Sequence, residues 1–446
     1  MGWATAEIGQ VCSLKNGRAF KPTEWSSRGI PIVRIQNLNN PDGSFNHFEG
    51  AYESRYHLKG GELLFAWSGT PGTSFGAHIW RGQEAVLNQH IFRVDFDEQS
   101  IDKRFFRHAI NQKLDELIGV AHGGVGLRHV TKGVFEGTEI CLPPLAEQKR
   151  IADKLEVVLG RLDACRARLD RIPDLLKHLR QSVLAAATSG LLTEDCRDND
   201  QGYTKTEVDL PYSHSIKGPV AWSLETFGNV CDLVGGSQPP KATFVQEESP
   251  SVVRLIQIRD YKSDKHKIFI PRELARRFCT KTDVMIGRYG PPIFQILRGL
   301  EGAYNVALMK AAPKASRLDL DYLYFWLKQD VLLRYIEAGS DRTAGQDGIR
   351  KELVESYPIF LPPLPEQREI VRRVEALFAF VDRIEARLTE ARAQLERLTP
   401  ATLAKAFRGE LVPQDPNDEP ASALLERLSE PQTATKPTRR GRAKSV

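Results

Sequence analysis

The stretch Leu142-Pro-Pro-Leu-Ala-Glu-Gln-Lys-Arg-Ile151 returns 219 residues later as Leu361-Pro-Pro-Leu-Pro-Glu-Gln-Arg-Glu-Ile370. Without a gap, the same offset carries Glu156 to Glu375, Leu169 to Leu388 and Gly190-x-Leu192 to Gly409-x-Leu411. It also holds upstream, taking Trp3 to Trp222, Gly9 to Gly228, Cys12 to Cys231 and Gly17 to Gly236. Between these anchors the similarity fades. Val33-Arg-Ile-Gln-Asn-Leu38 matches Ile256-Gln-Ile-Arg-Asp-Tyr261 in pattern only, and Asn88 and Asn305 both follow short apolar runs. A repeat this long in two copies makes a duplicated two-part protein, variable then shared, and not a solenoid.

The shared parts are helical. Apolar residues fall at Ile151, Leu155, Val158, Leu162, Cys165, Leu169, Ile172, Leu176, Leu179 and Val183, and again at Ile370, Val374, Leu377, Val381, Ile384, Leu388, Ala391, Leu395 and Leu398. Alternating steps of four and three sustained over about four heptads are the signature of a coiled-coil seam. Two equivalent seams on one chain favour antiparallel pairing within the monomer over a homodimer, with Ile151, Leu155, Leu162 and Leu169 on one helix and Ile370, Val374, Val381 and Leu388 on the other. The Pro-Pro step ends the preceding strand, Pro365 suits the first helical turn, and Glu147 and Glu366 complement the positive helix N-terminus. Pro173 is expected to kink the first helix. At 1.5 Å per residue, about 40 residues span roughly 60 Å.

The variable parts read as mixed α/β domains. Short β-like runs such as Ile30–Ile35, Glu62–Trp67, His90–Val94, Val252–Ile258 and Asp283–Gly287 are punctuated by Gly, Pro and Asn, and a short helical stretch follows in each copy. The expected fold is α+β: mixed α/β domains over 1–141 and 205–360, joined by two long antiparallel coiled-coil helices over 142–204 and 361–412 with an internal pseudo-twofold repeat. Residues 413–446 read as a disordered basic tail.

The net charge of +5 is a weak pointer to nucleic acid, because five bases between Lys436 and Lys444 account for all of it. Residues 1–141 carry 15 bases and 15 acids, so any nucleic-acid surface is a local patch. The six cysteines form no C-x-x-C pair, which fits a reducing cytoplasm and argues against zinc ribbons and disulfide scaffolds. No apolar run is long enough to span a membrane and the first residues lack a signal-peptide pattern, so a cytoplasmic protein is expected.

Catalytic signatures are missing. There is no phosphate-binding loop, no strand–G-x-G-x-x-G–helix unit and no histidine cluster with metal-ligand spacing, so neither a catalytic residue nor a metal ligand is assigned. Gly290-Pro-Pro-Ile-Phe294 lacks the leading Asp or Asn of an amino-methyltransferase loop. What the variable domains offer is polar loops. The DNA-contact candidates are Arg18, Lys21, Ser68, Thr70, Thr73, Ser74, Asn88 and Gln89 in the first, and Ser237, Gln238, Lys241, Gln257, Arg259, Lys262, Arg288 and Tyr289 in the second. Arg, Asn and Gln pair with base edges; Ser, Thr and glycine N–H groups suit phosphates.

Leu-Pro-Pro-Leu-x-Glu-Gln at the head of a heptad helix, twice in one chain and each time after a divergent α/β domain, closely resembles the specificity subunit of type I restriction–modification enzymes. The Gly-x-Leu exits and the Trp3–Gly17 and Trp222–Gly236 openings fit the same family. The resemblance implies a non-catalytic subunit whose two target-recognition domains each read half of an asymmetric, bipartite double-stranded DNA site, with the helices as a ruler. It implies two modification subunits that methylate adenine with S-adenosylmethionine, two restriction subunits that use ATP and magnesium, and no cofactor on this chain. A structural coiled-coil adaptor without sequence-specific DNA binding is the alternative; the divergence confined to the modules speaks against it.

Overall fold

The computed structural model describes residues 2–40, 43–69, 75–120, 128–197, 205–212, 214–290, 292–340 and 348–429. The helices that matter are α1 (Lys103–Gln112), α2 (Leu145–Thr188), α3 (Leu320–Leu327), α4 (Leu364–Phe407) and α5 (Ala421–Ser429). The chain packs as two compact units, one of Met1–Ala167 with Arg392–Val446, the other of Arg168–Ala391. Each unit therefore holds one α/β module and part of both α2 and α4.

Each module is built from two four-stranded sheets. In the first unit one sheet runs Ser13–Asn16, Ile91–Asp95, Leu63–Ala66, Gly76–Ile79, all antiparallel. The other runs Asn46–Phe48, Ile30–Val33, Ala85–Leu87, His57–Leu58, with one parallel pair at its centre. The second unit repeats both orders, as Cys231–Gly235, Leu308–Pro313, Val284–Gly287, Gln295–Leu297 and as Phe269–Pro271, Val252–Ile256, Gly302–Tyr304, Phe278–Cys279, again with the central pair parallel. Successive strand residues face opposite sides. Val33 and Leu87 thus point between the sheets while Ile32 and Val86 cover the outer face; in the second unit Ile256 and Tyr304 point between the sheets and Leu255 and Ala303 face outward.

A two-stranded ribbon closes each module onto its helix. Ala4 pairs with Leu142 and Ser223 with Leu361, both at the 219-residue offset. The Leu-Pro-Pro-Leu-x-Glu-Gln motif acts just beyond. Gln148 and Gln367 are fully buried. Gln148 Oε1 accepts from the Asp102 N–H at 3.0 Å and its Nε2 donates to the Pro143 carbonyl. Gln367 accepts from the Asp319 N–H at 2.8 Å and donates to the Pro362 and Arg317 carbonyls. Asp102 and Asp319 in turn cap α1 and α3, each accepting two first-turn N–H groups. The preceding glutamate holds the module's first tryptophan: Trp3 Nε1 donates to Glu147 and Trp222 Nε1 to Glu366. The copies differ in charge. Glu366 also pairs with Arg197, whose side chain is almost wholly buried. Burial pushes the Glu147 carboxyl above its ordinary range.

Both long helices run 44 residues. In the first unit Ile151, Ala152 and Leu155 near the start of α2 pack with Leu403, Ala406 and Phe407 at the end of α4. In the second, Val183, Leu184 and Ala187 at the end of α2 pack with Ile370, Val371 and Val374 at the start of α4. Start meets end in each unit, so the pairing is antiparallel. The seam is narrower than the heptads suggest. Ile370, Val374, Val381 and Leu388 are buried, and Ile151 and Leu155 fully so, but Leu162 and Leu169 are half-buried. Cys165, Leu179, Leu377 and Leu398, expected on the seam, are exposed. With only two helices, the residues spaced by seven face the partner most directly, and those three steps on are left at the rim. The expected kink at Pro173 does not interrupt the helix, which continues through it.

The expected disorder from residue 413 is corrected in part. Arg150 pairs with Asp418 at 2.6 Å, and α5 buries Ala421 and Leu424 in the first unit, an apolar face that the charge count had hidden. The basic cluster of the tail lies outside the described residues. In the second unit the hairpin Lys205–Leu210 with His214–Pro219 precedes the module.

Two predictions follow from the helix heads. Gln367→Leu leaves three backbone groups without their buried partner and Gln148→Leu leaves two, at about 1–3 kcal/mol per group. Denaturant midpoints should fall for both, further for Gln367→Leu. Glu366→Gln leaves Arg197 buried without a counter-charge and is expected to cost about 3–5 kcal/mol at neutral pH. Glu147→Gln keeps an acceptor for the indole and is expected to cost no more than about 1 kcal/mol. Because the folded Glu147 pKa is raised above the unfolded one, the wild type loses stability as pH rises through that window, and Glu147→Gln should remove this slope from a pH series of melts.

Candidate nucleic-acid interface

The two sheets of a module meet at one close backbone crossing. Gly17 N–H donates to Ile91 and Arg18 N–H to Leu87; Gly236 donates to Leu308 and Ser237 to Tyr304. A Cβ on Gly17 would lie 2.1 Å from the Asn88 carbonyl oxygen, and one on Gly236 2.0 Å from that of Asn305, so only glycine fits. Asn88 N–H donates to Val33 and Asn305 N–H to Ile256. Beyond the crossing, Trp67 N–H donates to His90 and Arg288 N–H to Ala307, while Val130 donates to Trp67 and Ile349 to Arg288. Strand register and hydrogen bonds thus equate residues pair by pair.

The backbone is the same and the side chains are not. Arg18 corresponds to Ser237, Arg34 to Gln257, Trp67 to Arg288, Ser68 to Tyr289, His90 to Ala307 and His129 to Gly348. In the first unit Trp67 lies 5.2 Å from His90, 5.9 Å from His129 and 5.7 Å from Phe92 between ring centroids. Burial, reinforced by His129 and Arg34, holds His90 below the ordinary histidine range, so its ring is neutral at pH 7. The Arg34 guanidinium sits 4.9 Å over Trp25. In the second unit the Arg288 guanidinium sits 5.4 Å over Tyr289.

The sequence candidates are distributed unevenly over this surface. Arg18 is engaged by the protein, ion-paired with Glu24 at 2.5 Å and stacked on Phe20 and Phe48. Ser68 is buried, Lys21 is exposed, and Thr70, Thr73 and Ser74 lie outside the described residues. Asn88 Oδ1 accepts from the Gln89 N–H, and the Gln89 amide lies 3.2 Å from His90. In the second unit Gln257, Arg288 and Tyr289 flank the crossing; Ser237 is half-buried on it and Gln238, Lys241, Arg259 and Lys262 are exposed. Arg34, Trp67, His90 and His129 share the first unit's surface and were not among the candidates. Aligning Asn88 with Asn305 brings out only His90 against Ala307; Arg34, Trp67 and His129 lie at other offsets, and only strand register and backbone hydrogen bonds match them to Gln257, Arg288 and Gly348. Phe294, from the Gly290-Pro-Pro loop, is buried in the second core.

Among the described residues no group of three or more His, Cys, Asp or Glu could hold a metal ion, and no helix is long and apolar enough to cross a membrane.

The type I restriction modification DNA specificity domain model matches residues 1–173 and 219–393. The chain is 31% identical to the EcoBI specificity subunit of Escherichia coli, over 97% of this chain and 93% of that protein. It is 30% identical to the EcoKI specificity subunit of Escherichia coli strain K12, over 100% and 98%. In fold it is similar to the HsdS subunit from Thermoanaerobacter tengcongensis, with a TM-score of 0.60 at 23% identity over 92% of this chain and 97% of the other. A chain from a structure on complex assembly and conformational transition of the type I R-M system gives 0.65 at 24% identity, over 92% and 98%. A duplicated module–helix unit matched twice by the specificity-domain model, together with relatives similar over their whole length, places this chain in the type I restriction–modification specificity-subunit family.

Proposed function

We propose that each module reads one half of a bipartite, asymmetric site on double-stranded DNA, that α2 and α4 set the unread spacing, and that the helices dock two modification subunits. In this reading the chain supplies recognition and no catalysis, and works in the cytoplasm. S-adenosylmethionine belongs to the modification subunits, which methylate adenine; ATP and magnesium belong to two restriction subunits that complete the nuclease. A target adenine must leave the base stack to be methylated, which the neighbouring modification subunit would accomplish.

The observation that carries this reading is one backbone frame, used twice, with different side chains at matched points. Two readers with different side chains give two different half-sites, and so an asymmetric motif. A coiled-coil adaptor would have no use for that variation. The first module is charge-balanced and residues 210–360 carry 21 bases against 17 acids; phosphate attraction carries no sequence information, so discrimination rests on base-edge contacts.

Replacing residues 1–141 by another family member's module should change one half of the methylated motif and leave the other half intact. Because each half of α2 packs on the opposite half of α4, spacing should lengthen cleanly only when a heptad enters both helices, after Leu169 and after Leu388. Methylome sequencing of cells carrying each variant with its modification partner reads both outcomes. A module swap that alters both half-sites would refute the two-reader model.

A further inference from the structure

Resting on the reading of each module as a half-site reader, we infer that the surface where a module's two sheets meet holds the base-reading side chains: His90 beside Trp67 in the first unit and Arg288 beside Tyr289 in the second, with Arg34 and Gln257 at matched positions directly after the crossing residues Val33 and Ile256. Three independent observations converge there.

The first is the matched frame. At positions 67 and 288 the N–H donates across the crossing and the carbonyl accepts from a returning segment, in the same pattern. Backbone stability is thus secured without the side chain, which is released for another task. Arg18 shows the contrast, since Glu24, Phe20 and Phe48 already engage its guanidinium.

The second is a compensated exchange of rings. In the first unit Ser68 is small and its strand partner is His129. In the second the equivalent pair is Tyr289 and Gly348, and a Cβ on Gly348 would lie 2.4 Å from the Tyr289 ring. Tyrosine therefore fills the space a side chain at 348 would need. Each module keeps an aromatic ring at this point but supplies it from the opposite strand, beside a different polar neighbour.

The third is polar groups left over. Trp67 Nε1, His90 Nδ1 and Arg288 Nε are buried and have no hydrogen-bond partner among the described residues. Such atoms also occur at Arg18 Nη1, although Glu24 holds that side chain through Nη2, and in the second core at the Tyr322 and Tyr357 hydroxyls, so an orphan by itself identifies nothing. Here two of the three occupy equivalent positions and the third accepts the first's backbone N–H at its carbonyl. The chemistry suits base edges: a guanidinium pairs two-pronged with guanine O6 and N7, an amide with adenine N6 and N7, and a neutral imidazole can donate or accept.

The test uses the assembled complex with its modification subunits, read by methylome sequencing and by competition binding to duplexes carrying single-base changes. The wild type must first yield a bipartite motif; if it does not, the half-site reading itself fails. Given that motif, Arg288→Ala and Gln257→Ala should each relax one base position in one half, with preference falling about 5–150-fold, and leave the other half unchanged. Arg34→Ala and His90→Ala should do the same in the other half only. Arg288→Lys keeps the charge and should still lose discrimination, because lysine lacks the fork. Lys281→Ala, on an exposed edge, should leave both halves as they are, and melting curves exclude global unfolding. A bipartite wild-type motif that all four alanine variants read with every base preference within about twofold of wild type would overturn the inference, as would changes spread over both halves.

Discussion

A buried glutamine at the head of each long helix ties the protein together. Gln148 and Gln367 bond at once to the Pro-Pro turn and to the N-cap of the module's own helix, where no water can replace them. An amide is the right group, since it both donates and accepts without a charge to desolvate. Its glutamate neighbour reaches the tryptophan that opens the module. Module, turn and helix are thereby fixed in mutual orientation at one point, and a reader mounted on a strut is useful only if its orientation is fixed.

Backbone stability at the crossing does not rest on the side chains beside it. The crossing at Gly17 and Asn88, and its copy at Gly236 and Asn305, is made of main-chain bonds and a contact too close for any Cβ. Side chains beside it can change from Trp67 to Arg288 or from His90 to Ala307 without loss of a ladder bond. Loops and loop-flanking positions on a rigid frame are where recognition can diverge at little cost to folding.

The repeat, the antiparallel pairing and the mixed α/β modules were legible because each leaves a local or periodic trace: a gapless offset, a step of seven, short β-branched runs between turn residues. The exposure of Leu179, Leu377 and Leu398 was not, because heptad periodicity marks a stripe but not how many helices cover it. Arg18 was singled out for its chemistry, and only the fold brings Glu24, Phe20 and Phe48 around it. The grouping of Trp67, His90 and His129 leaves no such local trace. They meet through strand pairings between segments tens of residues apart, which no composition window detects.

The segments that follow the two helices show where duplication stopped constraining the chain. Both helices end at a glycine with positive φ, +77° at Gly190 and +74° at Gly409, where an L side chain would be strained. Beyond it the copies part. After α2 the chain forms a β-hairpin whose Gly218 packs so closely on Phe360 that a Cβ would lie 2.2 Å from the ring. After α4 it forms α5, which buries Leu424 and packs Leu425 and Leu428 against the first core while Arg150 holds Asp418. The buried charges follow the same split: Arg197, from the chain after α2, neutralises Glu366, whereas Glu147 shares Arg150 with Asp418 and burial raises its pKa. The repeat conserves what fixes the reader to the helix. What merely covers a module was left to find any sequence that buries apolar surface, and the two copies found a hairpin and a helix.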